Sequence, residues 1–208
     1  MKKSKKTKKS NSWKIKQHRD PFFKKSKTLG YRSRASFKLI ELDKKFKFLK
    51  KNISFLDLGS SPGGWSQVAG KVITNGKILS IDLKPMEPIK NVQFIKSDIF
   101  SDKTKDLVAI FFEEKLDVIA SDMAADTTGN KSLDSIRTNQ LCSEVLNLSS
   151  KLLKPTGVLV SKLFMGNDFI EVKNLAKSLF KNVNFFKPEA SRRESKEIYL
   201  HCKILKTL

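Results

Sequence analysis

Cysteine and histidine are nearly absent from this chain, with two residues of each. Cys142 and Cys202 form neither a C-x-x-C pair nor a metal-ligand pattern, which excludes a disulfide scaffold and a zinc module. Both read as reduced thiols of a cytoplasmic protein, and His18 and His201 are lone residues with no ligand role. Long apolar runs are missing too, as is any basic amphipathic anchor with a bulky apolar face, so a membrane partner is not expected. The N-terminus shows no apolar stretch of the secretory kind. Acidic residues are scarce beside basic ones: 21 Asp and Glu against 42 Lys and Arg leave a net charge of +21. Such an excess fits a polyanionic partner such as RNA. Two phosphate-binding motifs are also lacking. No G-x-G-x-x-G seats a pyrophosphate, and Trp65 stands where the lysine of a P-loop belongs.

What is present is enough for one domain of ordinary size: 208 residues, 39% hydrophobic, with 15 Phe. Residues 1–28 differ from the rest, with twelve Lys or Arg and a single acid, Asp20. A segment so charged and so poor in apolar residues cannot offset its ordering entropy. It reads as a largely disordered basic arm able to contact RNA, its lysines on phosphates and Trp13 available for stacking. The folded domain is then expected over 29–208.

The chain is organised around Phe55 to Trp65, FLDLGSSPGGW. An apolar run broken by Asp57, then Gly59, Pro62, Gly63 and Gly64, then a helical pattern, reads as strand, glycine loop and helix. Bare glycine backbone lets a ligand approach closely. A glycine loop matching neither phosphate motif suggests a nucleoside ligand without a phosphate chain, of which S-adenosylmethionine is the common one.

Strands and helices alternate beyond that loop, which implies a doubly wound α/β sheet. Asp82 ends the second strand about 20 residues after the glycines, the place of an acid that accepts from ribose hydroxyls. Pro85 and Pro88 make the next link too short and irregular for a crossover helix. Asp98 follows a short third strand, and Asp122 follows the fourth. Asp57, Asp82, Asp98 and Asp122 thus all fall near the carboxyl ends of strands, where open α/β sheets bind ligands. Lys162 interrupts the apolar run VLVSKLF of a central strand. Desolvation there is expected to lower its pKa and make it a plausible base. Ser191, Arg192 and Arg193 read as a phosphate clamp, and Glu197 opens the last strand.

DLGSSPGGWSQ, with RSRASFKL before it and KPEASRRESKEIY after it, resembles the FtsJ/RrmJ family of RNA ribose 2′-O-methyltransferases over about Tyr31 to Lys203. The resemblance implies a single-domain Rossmann-like S-adenosylmethionine-dependent methyltransferase fold with a seven-stranded, mostly parallel sheet, its last strand antiparallel. It implies a tetrad of Lys38, Asp122, Lys162 and Glu197, with Lys162 as base. It also implies a cofactor pocket using Gly63, Trp65, Asp82, Asp98 (on the adenine amino group) and Asp122. Bacterial single-domain members act on a ribose, commonly a uridine, of 23S large-subunit ribosomal RNA, in support of ribosome assembly. A monomer is expected. Transfer RNA, a messenger-RNA cap ribose, or an RNA-binding assembly role with catalysis secondary are the alternatives. One departure stands out: the family often has proline and asparagine after SDMA, where this chain has Ala125 and Asp126.

Overall fold

The computed structural model describes residues 20–206. A seven-stranded sheet runs through the domain: β1 (Ser54–Leu58), β2 (Lys77–Asp82), β3 (Gln93–Lys96), β4 (Leu116–Ser121), β5 (Leu153–Phe164), β6 (Phe180–Phe186) and β7 (Glu197–Leu205). Its order is β3-β2-β1-β4-β5-β7-β6. Strands β1 to β5 pair in parallel, and β7 lies antiparallel between β5 and β6. The expected fold is present, last strand included.

Alternation along the strands divides the core in two. Phe55, Ile78, Val118, Ala120, Val158, Val160 and Tyr199 face one layer, with Leu39, Leu42, Trp65 and Val68 from helices α2 (Ala35–Phe46) and α3 (Gly64–Val72). Leu56, Leu79, Ile119, Leu159 and Leu200 face the other layer, closed by α4 (Asp102–Phe112), α5 (Lys131–Leu152) and α6 (Phe169–Leu179). The residues that interrupt the apolar columns share the first of these faces. Asp57 follows Phe55, Asp122 follows Ala120, Lys162 follows Val160, and Glu197 and His201 flank Tyr199 at the same period. The parity of the strands therefore delivers the polar groups to one layer.

Several boundaries differ from the sequence reading. The basic arm does not extend to 28: Pro21–Thr28 form helix α1, capped by Asp20, whose carboxylate accepts from the Phe22 and Phe23 amides. Proline at the first helical position and an Asp N-cap are the local cause. Phe22 and Phe37 pack with ring centroids 5.6 Å apart, which ties α1 to α2. The remainder of the proposed arm, with Trp13, lies outside the described residues. In sequence, Ser33 to Phe48 reads as a helix with Ser33 as a plausible N-cap, but helix α2 begins after Arg34, and Ser33 makes no side-chain hydrogen bond among the described residues. The stretch Lys154 to Gly157, which in sequence reads as the end of the long helix before it, lies inside β5. Leu153 pairs with Leu116 and Val158 with Val118, so the intervening residues bulge from the sheet.

Candidate active site

The loop between β1 and α3 is shaped from beneath. Gly59 has φ +74°, and a Cβ there would strike Met123 at the end of β4. Only glycine lets the two strand ends approach so closely. Asp82 at the tip of β2 takes the Ser61 amide on Oδ2 (2.9 Å) and the Lys84 amide on Oδ1 (2.7 Å). Arg32 donates to the carbonyls of Pro62, Glu87 and Pro88, which ties the loop to the irregular proline link. Deeper still, Asp57 accepts from Ser66 Oγ at 2.6 Å, while its Oδ1 has no hydrogen-bond partner among the described residues. Burial, with only partial relief from Ser66, pushes this carboxyl up from 3.8 to about 7.

Above the loop opens a cavity of about 520 Å³ lined by Gly59, Ser61, Asp82, Asp98, Asp122 and the apolar Ile99, Phe100 and Met123, among others. It lies where β1 leads away to one side and β4 to the other, the crevice favoured by ligands of open α/β sheets. Five carboxylates (Asp82, Asp98, Asp122, Asp126 and Glu144) against two cations (Lys84 and Arg137), with apolar walls, suit a cationic nucleoside with hydroxyl and amino donors. Asp98 is exposed, with Oδ1 accepting from the Phe100 amide. Trp65 and Gly63 do not line this cavity. Trp65 is 2% exposed, donates from Nε1 to the Ala35 carbonyl, and packs 5.7 Å from the Tyr199 ring. It joins α2 and α3 to β7, and so acts on the site through packing.

The tetrad is assembled beside the cavity. Lys162 Nζ lies 2.8 Å from Asp122 Oδ1 and donates to the Asp122 carbonyl at 2.7 Å. Lys38 Nζ, from α2, lies 2.8 Å from Glu197 Oε1 and 3.8 Å from Asp122 Oδ1. Glu197 Oε2 is 3.8 Å from Lys162 Nζ. Lys38, Lys162 and Glu197 are all buried. Asp122 alone belongs to both the tetrad and the cavity wall. For Asp122, burial is outweighed by Lys162 and Lys38, and the carboxyl is held below its ordinary value. For Lys162, the sequence reading anticipated a lowered pKa, and the structure corrects it. Burial does pull it down, but Asp122 and Glu197 more than compensate, so the ammonium is held above its ordinary value. In the ligand-free site this pair is ionised.

One site residue escaped the sequence reading, and another takes a different role from the one expected. Tyr199 is buried and donates its hydroxyl to Asp122 Oδ1 at 2.5 Å. Its signal was its position two residues after Glu197, on the same face of the same strand. Ser191 was placed in a phosphate clamp, but it is buried and donates to Glu197 Oε1 at 2.7 Å. Arg192 and Arg193 are exposed, as a clamp requires. The loop carrying Ala125 and Asp126 is held by α5, through the Ala125 amide on Thr138 Oγ1 and the Thr128 amide on Asp134.

A sequence model of the FtsJ-like methyltransferases matches residues 31–205. The chain belongs to this family. It is 46% identical over 202 residues to the ribosomal RNA large subunit methyltransferase E of Pelagibacter ubique (strain HTCC1062), a match covering 97% of this chain and 100% of that protein. The protein of the same name from Rickettsia akari (strain Hartford) is 45% identical, with 94% and 89% covered. A crystal structure from Plasmodium falciparum described as a ribosomal RNA methyltransferase is 37% identical and superposes with a TM-score of 0.75 over 84% of this chain and 98% of that one. The methyl donor of an FtsJ-like methyltransferase is S-adenosylmethionine, and the carboxylate-lined cavity fits it.

Proposed function

We propose that this protein methylates the 2′-hydroxyl of a ribose, on a uridine, in the 23S RNA of the large ribosomal subunit, in support of ribosome assembly. The observation that carries the reading is the position of Asp122. It forms part of the cavity wall and also holds Lys162, so the donor side and the proton-handling side of the site meet at one carboxylate. The large-subunit RNA is supported by the names of the relatives, and the net charge of +21 suits an RNA partner.

Bound S-adenosylmethionine supplies a sulfonium-activated methyl group and one positive charge. Asp82 would hold the ribose hydroxyls of the cofactor and Asp98 its adenine amino group, each with acceptor capacity beyond its backbone bonds. The protein must then align a hydroxyl for displacement and take its proton. Lys162 is the group for that proton. It has to be neutral to accept one, and Asp122 and Glu197 resist its neutralisation. Any positive charge added beside Lys162 favours the neutral form. Lys38 anchors Glu197, and Glu197 orients the hydroxyl.

The test uses large subunits from cells lacking the protein, labelled S-adenosylmethionine and purified enzyme, with ribose methyls mapped on the RNA. One 2′-O-methyluridine is expected. It should be lost with Lys162→Ala, at a cost of about 10²–10⁴-fold in rate, while cofactor affinity stays near that of the parent. Label on a base, or none on large-subunit RNA, refutes the reading.

A further inference from the structure

The tetrad accounts for both lysines, but it leaves open what decides which oxygen of Glu197 faces the reacting hydroxyl. Glu197 Oε1 receives two donors, Lys38 Nζ at 2.8 Å and Ser191 Oγ at 2.7 Å. Its Oε2 makes no hydrogen bond among the described residues and lies 3.8 Å from Lys162 Nζ. Ser191 is itself held. Its amide donates to the Pro188 carbonyl at 3.0 Å, closing a turn. That turn is gripped by α2: the Glu41 carboxylate accepts from the Glu189 amide (2.6 Å) and the Ala190 amide (3.1 Å), and Arg34 donates to the Ala190 carbonyl. Glu41 stands three residues from Lys38, one helical turn along α2. One helix therefore supplies the cation for Glu197 and also the carboxylate that fixes the turn bearing Ser191.

We propose that Ser191 and Glu41 are positioning residues for methyl transfer: through the Pro188–Ser191 turn they pin Glu197 Oε1, so that Oε2 alone is presented beside Lys162 to the ribose hydroxyl. This rests on the reading that the tetrad transfers a methyl group to that hydroxyl. Without the Ser191 hydroxyl, Oε1 keeps only Lys38, and the carboxylate is free to rotate and exchange its two oxygens. A carboxylate that must be found in one of several rotations costs rate in the bound complex, and leaves cofactor and RNA binding alone.

The experiment compares Ser191→Ala, Ser191→Thr, Glu41→Gln and the Ser191→Ala/Glu41→Gln pair with the parent protein. A drop in kcat of about tenfold is expected for Ser191→Ala and for Glu41→Gln, with unchanged KM for S-adenosylmethionine and RNA. The threonine, which keeps the hydroxyl, should restore kcat. The double variant should lose no more than the worse single one, because both act through the same carboxylate. A second readout needs no activity: the side-chain ammonium resonance of Lys38 in the cofactor-free protein, which should broaden in Ser191→Ala and return in Ser191→Thr, while that of Lys162 stays. Multiplying losses, a normal kcat in folded Ser191→Ala, or an unmoved Lys38 resonance overturns the proposal. An inactive parent protein would instead overturn the methyl-transfer reading, and the Lys38 resonance would still decide the positioning.

Discussion

Two buried groups should cancel one another in the dependence of stability on pH, and each should show itself when the other is removed. Asp57 is 1% exposed and its carboxyl is pushed up from 3.8 to about 7, mainly by burial. His201 is 4% exposed and stacked 4.0 Å from the Phe46 ring, with neither ring nitrogen hydrogen-bonded among the described residues. Burial, aided by Lys203, pushes it down from 6.5 to about 4. Between pH 3.8 and about 7 the folded chain keeps the Asp57 proton that the unfolded chain releases, so stability falls as pH rises. Between pH 4 and 6.5 the unfolded chain binds the His201 proton that the folded chain refuses, so stability rises with pH. At about 1.4 kcal/mol for each tenfold change in proton affinity, Asp57 contributes a fall of about 4 kcal/mol and His201 a rise of about 3 kcal/mol.

Over the shared interval the two nearly offset. Asp57→Asn should therefore unmask His201, and relative to the parent protein its unfolding free energy should rise by about 4 kcal/mol from pH 3.8 to about 7, the Asp57 contribution being removed. His201→Phe loses no hydrogen bond made to the described residues and should unmask Asp57, giving a fall of about 3 kcal/mol relative to the parent from pH 4 to 6.5, the His201 contribution being removed. Urea titrations of the cofactor-free protein at half-unit steps, at constant ionic strength, read both slopes. Glu41, also raised by burial, is common to all variants and drops out of the differences. A parent-like slope in Asp57→Asn would refute the assignment of a proton to buried Asp57 near neutral pH. A pair of tilts with the same sign would refute the opposition.

Asp82→Ala and Asp98→Ala should each weaken S-adenosylmethionine binding, by about 1–3 kcal/mol in calorimetry, and leave RNA affinity nearly unchanged. Asp82 should be the more damaging, because the Ser61 and Lys84 amides lose their acceptor with it. Deleting residues 1–19 removes nine Lys or Arg and no acid. Folding should survive, and the slope of log K against log salt for single-stranded RNA should become shallower by about 0.7 for each phosphate that the shortened chain no longer engages; equal slopes would exclude the segment from the RNA interface. Glu197→Gln removes one of the charges that hold Lys162 up. The residual rate should reach its alkaline plateau at lower pH than in the parent, and a limb unmoved or moved upward would show that Lys162 does not govern it.

Much of the fold was legible because the central strands β1, β4 and β5 announced themselves by apolar runs with a charge within or just after them. Asp57, Asp122 and Lys162 each stand out against Val, Leu and Ala, and each proves to be buried or half-buried at the carboxyl edge. The charge state of Lys162 was not legible. Its apolar neighbours in sequence speak for a lowered pKa, but the carboxylates that raise it come from 40 and 35 residues away. Desolvation can be read from a run of letters, whereas Coulombic pairing depends on the folded chain. The helix at 21–28 was hidden for a related reason. Its lysines suggested a solvated tail and outweighed the local Asp20–Pro21 start signal, while its hold on the domain comes from Phe22 against Phe37 and from the Asp20–Arg34 ion pair, which are visible only once α2 is in place.

The position of Glu197 explains why a parallel sheet needs its one reversed strand. In β1, β2 and β4 the functional side chains sit at or just beyond the last residue, because parallel strands all end at the same edge. A side chain at the first residue of another parallel strand would lie at the far edge, a strand length away. Strand β7 runs the other way, pairing Glu197 with Phe164 and Tyr199 with Lys162. Its beginning therefore meets the end of β5, and Glu197 arrives at the carboxyl edge as the chain enters the sheet. Period-two alternation then places Tyr199 on the same face, one pleat deeper, against Asp122. The turn just before β7 carries Ser191 to the same carboxylate. A parallel β7 with the same residues would keep the core and scatter the site, so the reversed strand belongs to the chemistry as much as to the fold.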